Sequence, residues 1–363
     1  MMTNKRVYNF SAGPSQLPLE VLETAQKQML NYENSGMSVM EMSHRSSAYQ
    51  NIFDQTKADL KELMNIPDNY SILFLQGGAT QQFSNIALNF NDKGKADYIV
   101  TGNFSKKAAQ EAAKFTDVHI AYDGKENNYT HIPGQDELDI RDDIDYVHLC
   151  TNNTIYGTEW DYIPDTKGIP LIADMSSNIL SKPIDVSQFG VIYAGAQKNM
   201  GIAGLAVVIV RNDLLETHKD QIPVLSELDT MAKKDSMYNT PPTYAIYMLG
   251  LVLKWIKKQG GLVAMQEYNV KKAKLLQDYL DTTDFYDYPA EIGSRSHMNV
   301  SFTTGHSDLD ALFVKKSIEA GMTNLKGHRL VGGMRASIYN AMPYDGVAYL
   351  VEFLKKFENE NKE

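Results

Sequence analysis

The stretch YSILFLQGGATQQFSNIALNF, residues 70–90, shows the pattern that decides the fold. Its first part, YSILFLQ, is a short apolar run, which predicts a buried strand. The apolar residues of its last part recur at helical spacing, and Gly77 and Gly78 separate the two parts. A buried strand that leads directly into an amphipathic helix is the repeating unit of α/β proteins. We therefore expect a mostly parallel sheet covered by helices on both faces.

The same alternation continues along the chain. Strand-like and helix-like runs follow in the order ADYIVTG, SKKAAQEAAKF, YVHLCT, PLIADM, FGVIYAG and LAVVIVR. A tight connection joins the last two runs, which predicts that they pair antiparallel at one place in the sheet. PPTYAIYMLGLVLKWIKKQGG, residues 241–261, predicts a helix that begins after two prolines and ends at two glycines.

Beyond this helix the chain reads as a smaller α+β unit. MQEYNVKKAKLLQDYL, SDLDALFVKKSIEAGM and GVAYLVEFLKKFENE predict helices, whereas HMNVSFTT predicts a strand and GMRASIYN completes the unit. We therefore predict a large domain over residues 16–260 and a small C-terminal domain over residues 261–363, joined by the N-terminal segment 1–15.

Composition excludes several classes of protein. The 363 residues carry a net charge of -10, which argues against a nucleic-acid partner or an anionic membrane surface. Cys150 is the single cysteine, so no intrachain disulfide forms and a reducing, cytoplasmic location is expected. The N-terminal residues lack the apolar core of a signal peptide, and no apolar run approaches the ~18 residues of a membrane span. We expect a soluble protein without a metal site.

Lys198, in YAGAQKN (residues 193–199), follows a strand-like run and is surrounded by small residues. Asp174 stands at the end of PLIAD, where ligands collect in open α/β sheets. Alone, the lysine is most simply a solvated turn residue and the aspartate a helix cap or turn residue. Together they match what pyridoxal phosphate (PLP) requires. The amine forms a Schiff base with the aldehyde, and the carboxylate pairs with the pyridinium nitrogen.

The turn of the opening stretch offers a place for a phosphate. Gly77, Gly78, Ala79 and Thr80 lie between the strand and the helix, and backbone N–H groups at a helix N-terminus bind phosphate. The turn is neither a G-x-G-x-x-G fingerprint nor a Walker A loop, which disfavours NAD and ATP. A glycine pair at this position is also consistent with a plain turn.

The chain as a whole resembles the phosphoserine aminotransferases, class V PLP enzymes of the aspartate aminotransferase fold type (fold type I). The resemblance rests on NFSAGPSQLP, SHRS, FLQGGATQQF, NNTIYGTEW, ADMSSNILSKPIDVSQFGVIYAGAQKNMGIAGLAVVIVR, YNTPPTYAIY and GHRLVGGMRASIYNAMP. It implies a three-layer PLP-transferase large domain. It also implies reversible amino transfer from L-glutamate to 3-phosphooxypyruvate, giving O-phospho-L-serine and 2-oxoglutarate in L-serine biosynthesis. A second substrate of the family, 4-phosphohydroxy-L-threonine, belongs to pyridoxine biosynthesis.

The resemblance assigns the cofactor contacts. It implies that Lys198 carries PLP and acts as the base at Cα, with a pKa below the ~10.4 of a free lysine. The implied cofactor-binding residues are Ala79, Thr80, Phe104, Thr154, Asp174, Gln197, Lys198, Asn239 and Thr240. Asn239 and Thr240 resemble residues that reach the PLP phosphate of a neighbouring subunit, which implies a homodimer with active sites at its interface. Phe104 stands where the family usually has a stacking tryptophan, and a phenyl ring can also stack.

The resemblance also assigns a set of substrate-binding residues. They are Ser11, His44, Arg45, His328, Arg329 and Arg335. Arg335 is implied to bind the α-carboxylate, and the others surround the distal phosphate or carboxylate. Arginine presents a planar fork that suits both groups.

Other readings remain open on the sequence. A cysteine desulfurase or lyase of the same fold needs a reactive cysteine, whereas Cys150 ends an apolar run. An aminotransferase for small uncharged acceptors does not need the second cationic cluster. A non-catalytic PLP carrier and a nucleotide-binding module are the alternatives from other classes.

Overall fold

The computed structural model describes residues 6–215 and 221–362. The predicted domain ranges also include residues 1–5, 216–220 and 363, which lie outside the described residues.

The strands within the described ranges build one large sheet and three small ones. In chain order they are β1 (Tyr8–Asn9), β2 (Tyr70–Gln76), β3 (Lys95–Val100), β4 (Asp117–Asp123), β5 (Tyr146–Cys150), β6 (Asn152–Asn153), β7 (Thr158–Glu159), β8 (Leu171–Asp174), β9 (Val191–Gly195), β10 (Leu205–Arg211), β11 (Asn299–Phe302), β12 (Met322–Thr323) and β13 (Met334–Ser337).

The large sheet has the order β2-β10-β9-β8-β5-β3-β4. Strand β10 is antiparallel to both of its neighbours, β2 and β9, and the remaining pairs are parallel. This confirms the expected sheet and the antiparallel pairing of FGVIYAG with LAVVIVR. Since the C-terminal ends of β5, β8 and β9 lie at one edge, the residues that follow these strands come together there.

The α-helices in the described ranges are α1 (Leu19–Gln28), α2 (Ser47–Leu63), α3 (Ala79–Asn89), α4 (Asn103–Ala112), α5 (Leu228–Lys233), α6 (Thr243–Lys258), α7 (Gly261–Leu280), α8 (Ser307–Glu319) and α9 (Tyr344–Asn361). Some of them cover the two faces of the large sheet. Helices α2 and α6 pack on one face, and α3 and α4 on the other. In β10, Val207 and Ile209 belong to the first core, whereas Val208 and Val210 belong to the second. Burial on both faces explains why this strand is continuously apolar.

A third core lies in the C-terminal unit. It is formed by side chains of α7, α8, α9 and the strand pair β11–β13, together with Phe10 of the N-terminal segment. Strand β1 pairs in parallel with β12, so the N-terminal segment is attached to this unit. The domain boundary near residue 260 stays a prediction, and the separate core supports it.

The sequence reading missed some elements and misplaced others by a few residues. It did not predict β4, which is an edge strand with a largely half-exposed pattern that lacks a clear apolar run. The helix predicted from Ser105 begins at Asn103, and the final helix begins at Tyr344. Helices α1, α2 and α5 were not predicted.

In the described ranges, no helix is both long and apolar enough to cross a membrane. No group of three or more His, Cys, Asp or Glu side chains in these ranges is arranged to hold a metal ion.

Candidate active site

Asp174 and Lys198 lie at the same edge of the large sheet. Asp174 is the last residue of β8 and pairs in register with Cys150 on one side and Tyr193 on the other. Lys198 lies shortly after the end of β9, in the turn that leads back into β10. The strand order therefore brings together two residues that the sequence separates.

Asp174 is a buried carboxylate held by a local turn. Its Oδ1 accepts a hydrogen bond from the Ser176 backbone N–H at 2.9 Å, the geometry of an Asx turn. The Ser176 hydroxyl in turn accepts from Gly195 N–H at 3.0 Å, which ties this turn to the end of β9. Asp174 is 5% exposed, and burial raises its pKa, although the Ser176 hydrogen bonds and the charge of Lys198 oppose the shift. Within the described residues it makes no ion pair.

Lys198 is half-buried, and its amine is held by neighbouring side chains. Its Nζ donates to Thr154 Oγ1 at 2.8 Å and lies 5.5 Å from the centroid of the Phe104 ring. Burial lowers the pKa of Lys198, and Arg335 lowers it further, whereas Asp174 acts in the opposite direction. The structure thus confirms the expected direction of the shift. The simpler reading of this residue, a solvated turn lysine, does not fit these contacts.

The N-terminal segment runs along the backbone of the lysine. Ser15 donates its backbone N–H to Gln197 O at 2.9 Å and its hydroxyl to Lys198 O at 2.6 Å. A Cβ added to Gly13, whose φ is +146°, would come within 3.4 Å of Lys198 Cγ. Ser11 is half-buried, and its backbone N–H donates to Asn9 Oδ1. This segment therefore forms one wall of the pocket.

Phe104 lies in the first turn of α4, beside the amine. The helix begins directly after Gly102, and a Cβ at Gly102 would fall 2.5 Å from Asn153 Oδ1. Glycine is needed there because the helix start packs against the loop that carries Thr154. The close approach of these two segments brings the Phe104 ring over the lysine.

The predicted phosphate cradle has the expected shape. Helix α3 begins at Ala79 after the extended Gly78, and Gly77 has a φ of +101°. The first N–H groups of a helix lack partners within the helix, and they point to the end where Thr80 is exposed. Gln76 donates its side-chain amide to Thr240 O.

Asn239 and Thr240 thus lie close to the cradle of their own chain. A cavity of about 430 Å³ is lined by Gln76, Gly77 and Asn239, among others.

Three of the predicted anion-binding residues come together. The Arg335 guanidinium, on β13, donates to Thr154 O at 3.3 Å, and burial lowers its pKa. Burial is the main reason that the pKa of His328 lies below its ordinary value. The positive charges of Arg335 and Arg329 lower the pKa of His328 further.

His44 and Arg45 are not part of this cluster. They lie in the turn before α2, where Arg45 is exposed and its backbone N–H donates to Ser43 Oγ at 3.2 Å. In the described part of the chain neither side chain hydrogen-bonds to Lys198 or Arg335.

Comparison with known proteins agrees with this geometry. The class-V aminotransferase family model matches residues 7–350. A phosphoserine aminotransferase of Bacillus cereus (strain ATCC 10987 / NRS 248) is 52% identical over 359 residues, which cover 99% of this chain and 100% of the relative. The chain belongs to the phosphoserine aminotransferase family.

Solved structures show the same fold. The phosphoserine aminotransferase of Bacillus circulans subsp. alkalophilus superposes with a TM-score of 0.96 at 46% identity, over 98% of this chain and 99% of that one. A PLP-bound phosphoserine aminotransferase from Trichomonas vaginalis superposes with a TM-score of 0.93 at 40% identity, over 96% and 100%. The PLP-dependent aminotransferase fold predicted from the sequence is therefore confirmed.

The residues of this phosphoserine aminotransferase family member fit PLP. A buried carboxylate without an ion pair can hold a protonated ring nitrogen, and the confined amine can bind the aldehyde. The Phe104 ring, whose centroid is 5.5 Å from the amine, would be available to stack on a bound pyridine ring. The glycine turn before α3 can bind the phosphate.

The desulfurase alternative requires a reactive thiol that this family member lacks. Cys150 is 4% exposed, and burial raises its pKa, with a smaller contribution from the charge of Asp174. A buried thiol of raised pKa is a poor nucleophile.

Sequence reasoning missed the polar junction behind the site. Asn340 donates its backbone N–H to Asn199 Oδ1 at 3.0 Å and its side-chain amide to Leu180 O at 2.8 Å. Asn269 of α7 donates to Asn340 Oδ1 at 2.8 Å. We call Asn199, Asn269 and Asn340 the asparagine junction. No local pattern marks these residues, whereas Ser176 could have been found from the Asp-x-Ser spacing of an Asx turn.

Proposed function

We propose that this chain transfers the amino group of L-glutamate reversibly to 3-phosphooxypyruvate, giving O-phospho-L-serine and 2-oxoglutarate in L-serine biosynthesis, with PLP as cofactor. One observation carries the proposal. The confined Lys198 and the buried Asp174 share a sheet edge, and Arg335 donates to the backbone carbonyl of Thr154, the residue that accepts from Lys198, in a chain 52% identical to a phosphoserine aminotransferase.

Each cofactor-holding residue has a physical role. When bound, PLP supplies a protonated ring that accepts electrons from the substrate Cα. Asp174 keeps the ring nitrogen protonated, and Phe104 stacks on the ring. Ala79, Thr80 and Gln197 hold the phosphate end, and Thr154 holds the ring oxygen.

Lys198 moves the proton at the substrate Cα. Burial lowers its pKa, so a neutral amine, the form that can accept a proton, is more available than for a solvated lysine. The Thr154 hydroxyl, 2.8 Å from Nζ, holds the amine in place.

The cations orient the anionic substrates. Arg335 binds the α-carboxylate, and its partly buried guanidinium makes that contact strong. His328, Arg329, His44, Arg45 and Ser11 receive the distal phosphate or carboxylate. These roles explain why anionic substrates enter a protein whose net charge is negative.

Further parts of the proposal concern the setting of the enzyme. We propose a cytoplasmic homodimer whose active sites lie at the interface. In this arrangement Asn239 and Thr240 reach the PLP phosphate of the neighbouring subunit. His44 and Arg45 then contribute to the substrate site from across the interface. We also propose 4-phosphohydroxy-L-threonine, in pyridoxine biosynthesis, as a second phosphorylated substrate.

Absorption spectroscopy of the purified holoenzyme tests the function. We expect a visible band from PLP bound to Lys198, which glutamate bleaches and 3-phosphooxypyruvate restores. Lys198→Ala should retain PLP loosely, show no such band and lose turnover. If the restored band requires glyoxylate instead, a small-acid aminotransferase is supported; if no amino donor bleaches the band, the chain is a PLP carrier.

A further inference from the structure

Lys107 lies beside the same aromatic ring as the active-site lysine. It follows Phe104 by one helical turn in α4, so both side chains share a face of that helix. Its Nζ is 5.9 Å from the centroid of the Phe104 ring, and the Lys198 Nζ is 5.5 Å from the same centroid. One aromatic ring therefore contacts both the amine of the proposed chemistry and a second, exposed amine.

The charge of Lys107 adds to a cluster of cations. The charge of Lys107 lowers the pKa of His328, as do the charges of Arg329 and Arg335. Within the described ranges neither Lys107 nor Arg329 nor Arg335 forms an ion pair with a carboxylate, although the whole chain carries a net charge of -10. Like charges that are held together without counter-charges repel one another, and an anion bound between them relieves the repulsion.

Building on the proposed function, we propose that Lys107 is a specificity-determining residue of the substrate site. It favours the phosphate of the phosphorylated substrate over the side-chain carboxylate of glutamate. A phosphate monoester carries about -1.5 to -2 charges at neutral pH, whereas a carboxylate carries one. The same ammonium therefore attracts the phosphate more strongly, and the exposed position of Lys107 leaves it free to follow either substrate.

The neighbouring Lys106 provides a matched control. It is exposed, lies on the same helix and has the same charge, but its spacing from Phe104 places it on a different face. Lys107→Gln and Lys106→Gln therefore change the net charge equally and differ only in position. Thermal unfolding of both holoenzymes checks that they fold.

The measurement is kcat/KM for O-phospho-L-serine and for L-glutamate. For Lys107→Gln we expect a loss of roughly tenfold with O-phospho-L-serine, as for a charged hydrogen-bond partner. With glutamate we expect a loss of roughly twofold, as for a solvent-screened charge. Lys106→Gln should match the wild type, and Lys107→Arg should restore the preference for the phosphate.

Equal losses with both substrates would overturn the specificity role. Equal effects of Lys106→Gln and Lys107→Gln would overturn it too, since either result indicates only that the positive charge of the helix attracts anions in general. No change in Lys107→Gln would overturn it as well. These outcomes differ from failure of the proposed function, in which the wild type itself does not turn over O-phospho-L-serine.

Discussion

His148 is a buried histidine on β5, behind the active site. Its ring stacks on Tyr98 at 4.7 Å, and its Nε2 hydrogen-bonds to the Tyr193 hydroxyl at 2.8 Å. Its Nδ1 has no hydrogen-bond partner in the described part of the chain. Burial lowers the pKa of His148 from 6.5 to about 3, because the charged ring cannot be solvated there.

This shift predicts a pH dependence of stability. Below pH 6.5 the unfolded chain binds a proton at His148 and the folded chain does not, until the pH approaches about 3. The folded state should therefore lose about 1.4 kcal/mol per pH unit from this residue as the pH falls below 6.5. Urea unfolding of the wild type and His148→Phe between pH 7.5 and pH 5 measures the difference in slope. Parallel curves would contradict the prediction.

At the scale of elements, the asparagine junction joins four segments of the site. They are the loop after Asp174, the residue after Lys198, helix α7 and the segment after β13, which carries Arg335. Leu180, whose carbonyl accepts from Asn340, has a φ of +61°, a costly conformation for leucine. The junction holds this strained loop in place against the residue after Lys198 and the segment after β13.

Asn340→Ala tests the junction. The substitution leaves the Leu180 carbonyl without the amide that pairs with it and removes one acceptor of Asn269, which should cost about 1–3 kcal/mol per lost partner. We expect a lower free energy of unfolding and weaker binding of PLP to the apoprotein, measured by fluorescence titration. Asn51→Ala, at an exposed position of α2, should change neither quantity. An Asn340→Ala protein that unfolds and binds PLP like the wild type would show that the junction is dispensable.

The elements also show what a sequence can predict. The runs that become β5, β8, β9 and β10 are buried on both faces, so they are apolar throughout and were recognised. Strand β4 lies at the edge of the sheet and is half-exposed, so it lacks an apolar run. The apolar residues of α1 and α2 do recur at helical spacing, and these helices were nevertheless not recognised. The observed ends of the elements differ from the predicted ends by a few residues. The contacts that fix them, such as the approach of Gly102 to Asn153, are made between segments distant in the chain.

At the scale of the whole molecule, the proposed homodimer can be tested by mixing inactive variants. Lys198→Ala removes the base, and Thr240→Glu places a negative charge where Thr240 is proposed to meet the phosphate of the neighbouring subunit. In a mixed dimer, one site then combines an intact Lys198 with an intact Thr240. Unfolding and reassembling the two variants together should restore part of the activity, whereas each variant alone stays inactive.

The control for this test is a mixture of Lys198→Ala with Asp174→Ala. These two residues act together in the site of one chain, so neither site of the mixed dimer has both residues intact. We therefore expect this mixture to stay inactive. Failure of the first mixture to regain activity would show that Thr240 serves its own chain, where Gln76 already contacts it.

By itself, the sequence determined the α/β class, the antiparallel pair at one place in the sheet, and the Lys198–Asp174 pair, because short apolar runs and residue spacing are local properties. Its resemblance to a family supplied the remaining site residues. Only the tertiary structure decided that Lys107 joins the cations around His328 and that three distant asparagines meet behind the lysine. Such contacts join segments far apart in the chain, and no periodicity or motif along the chain records them.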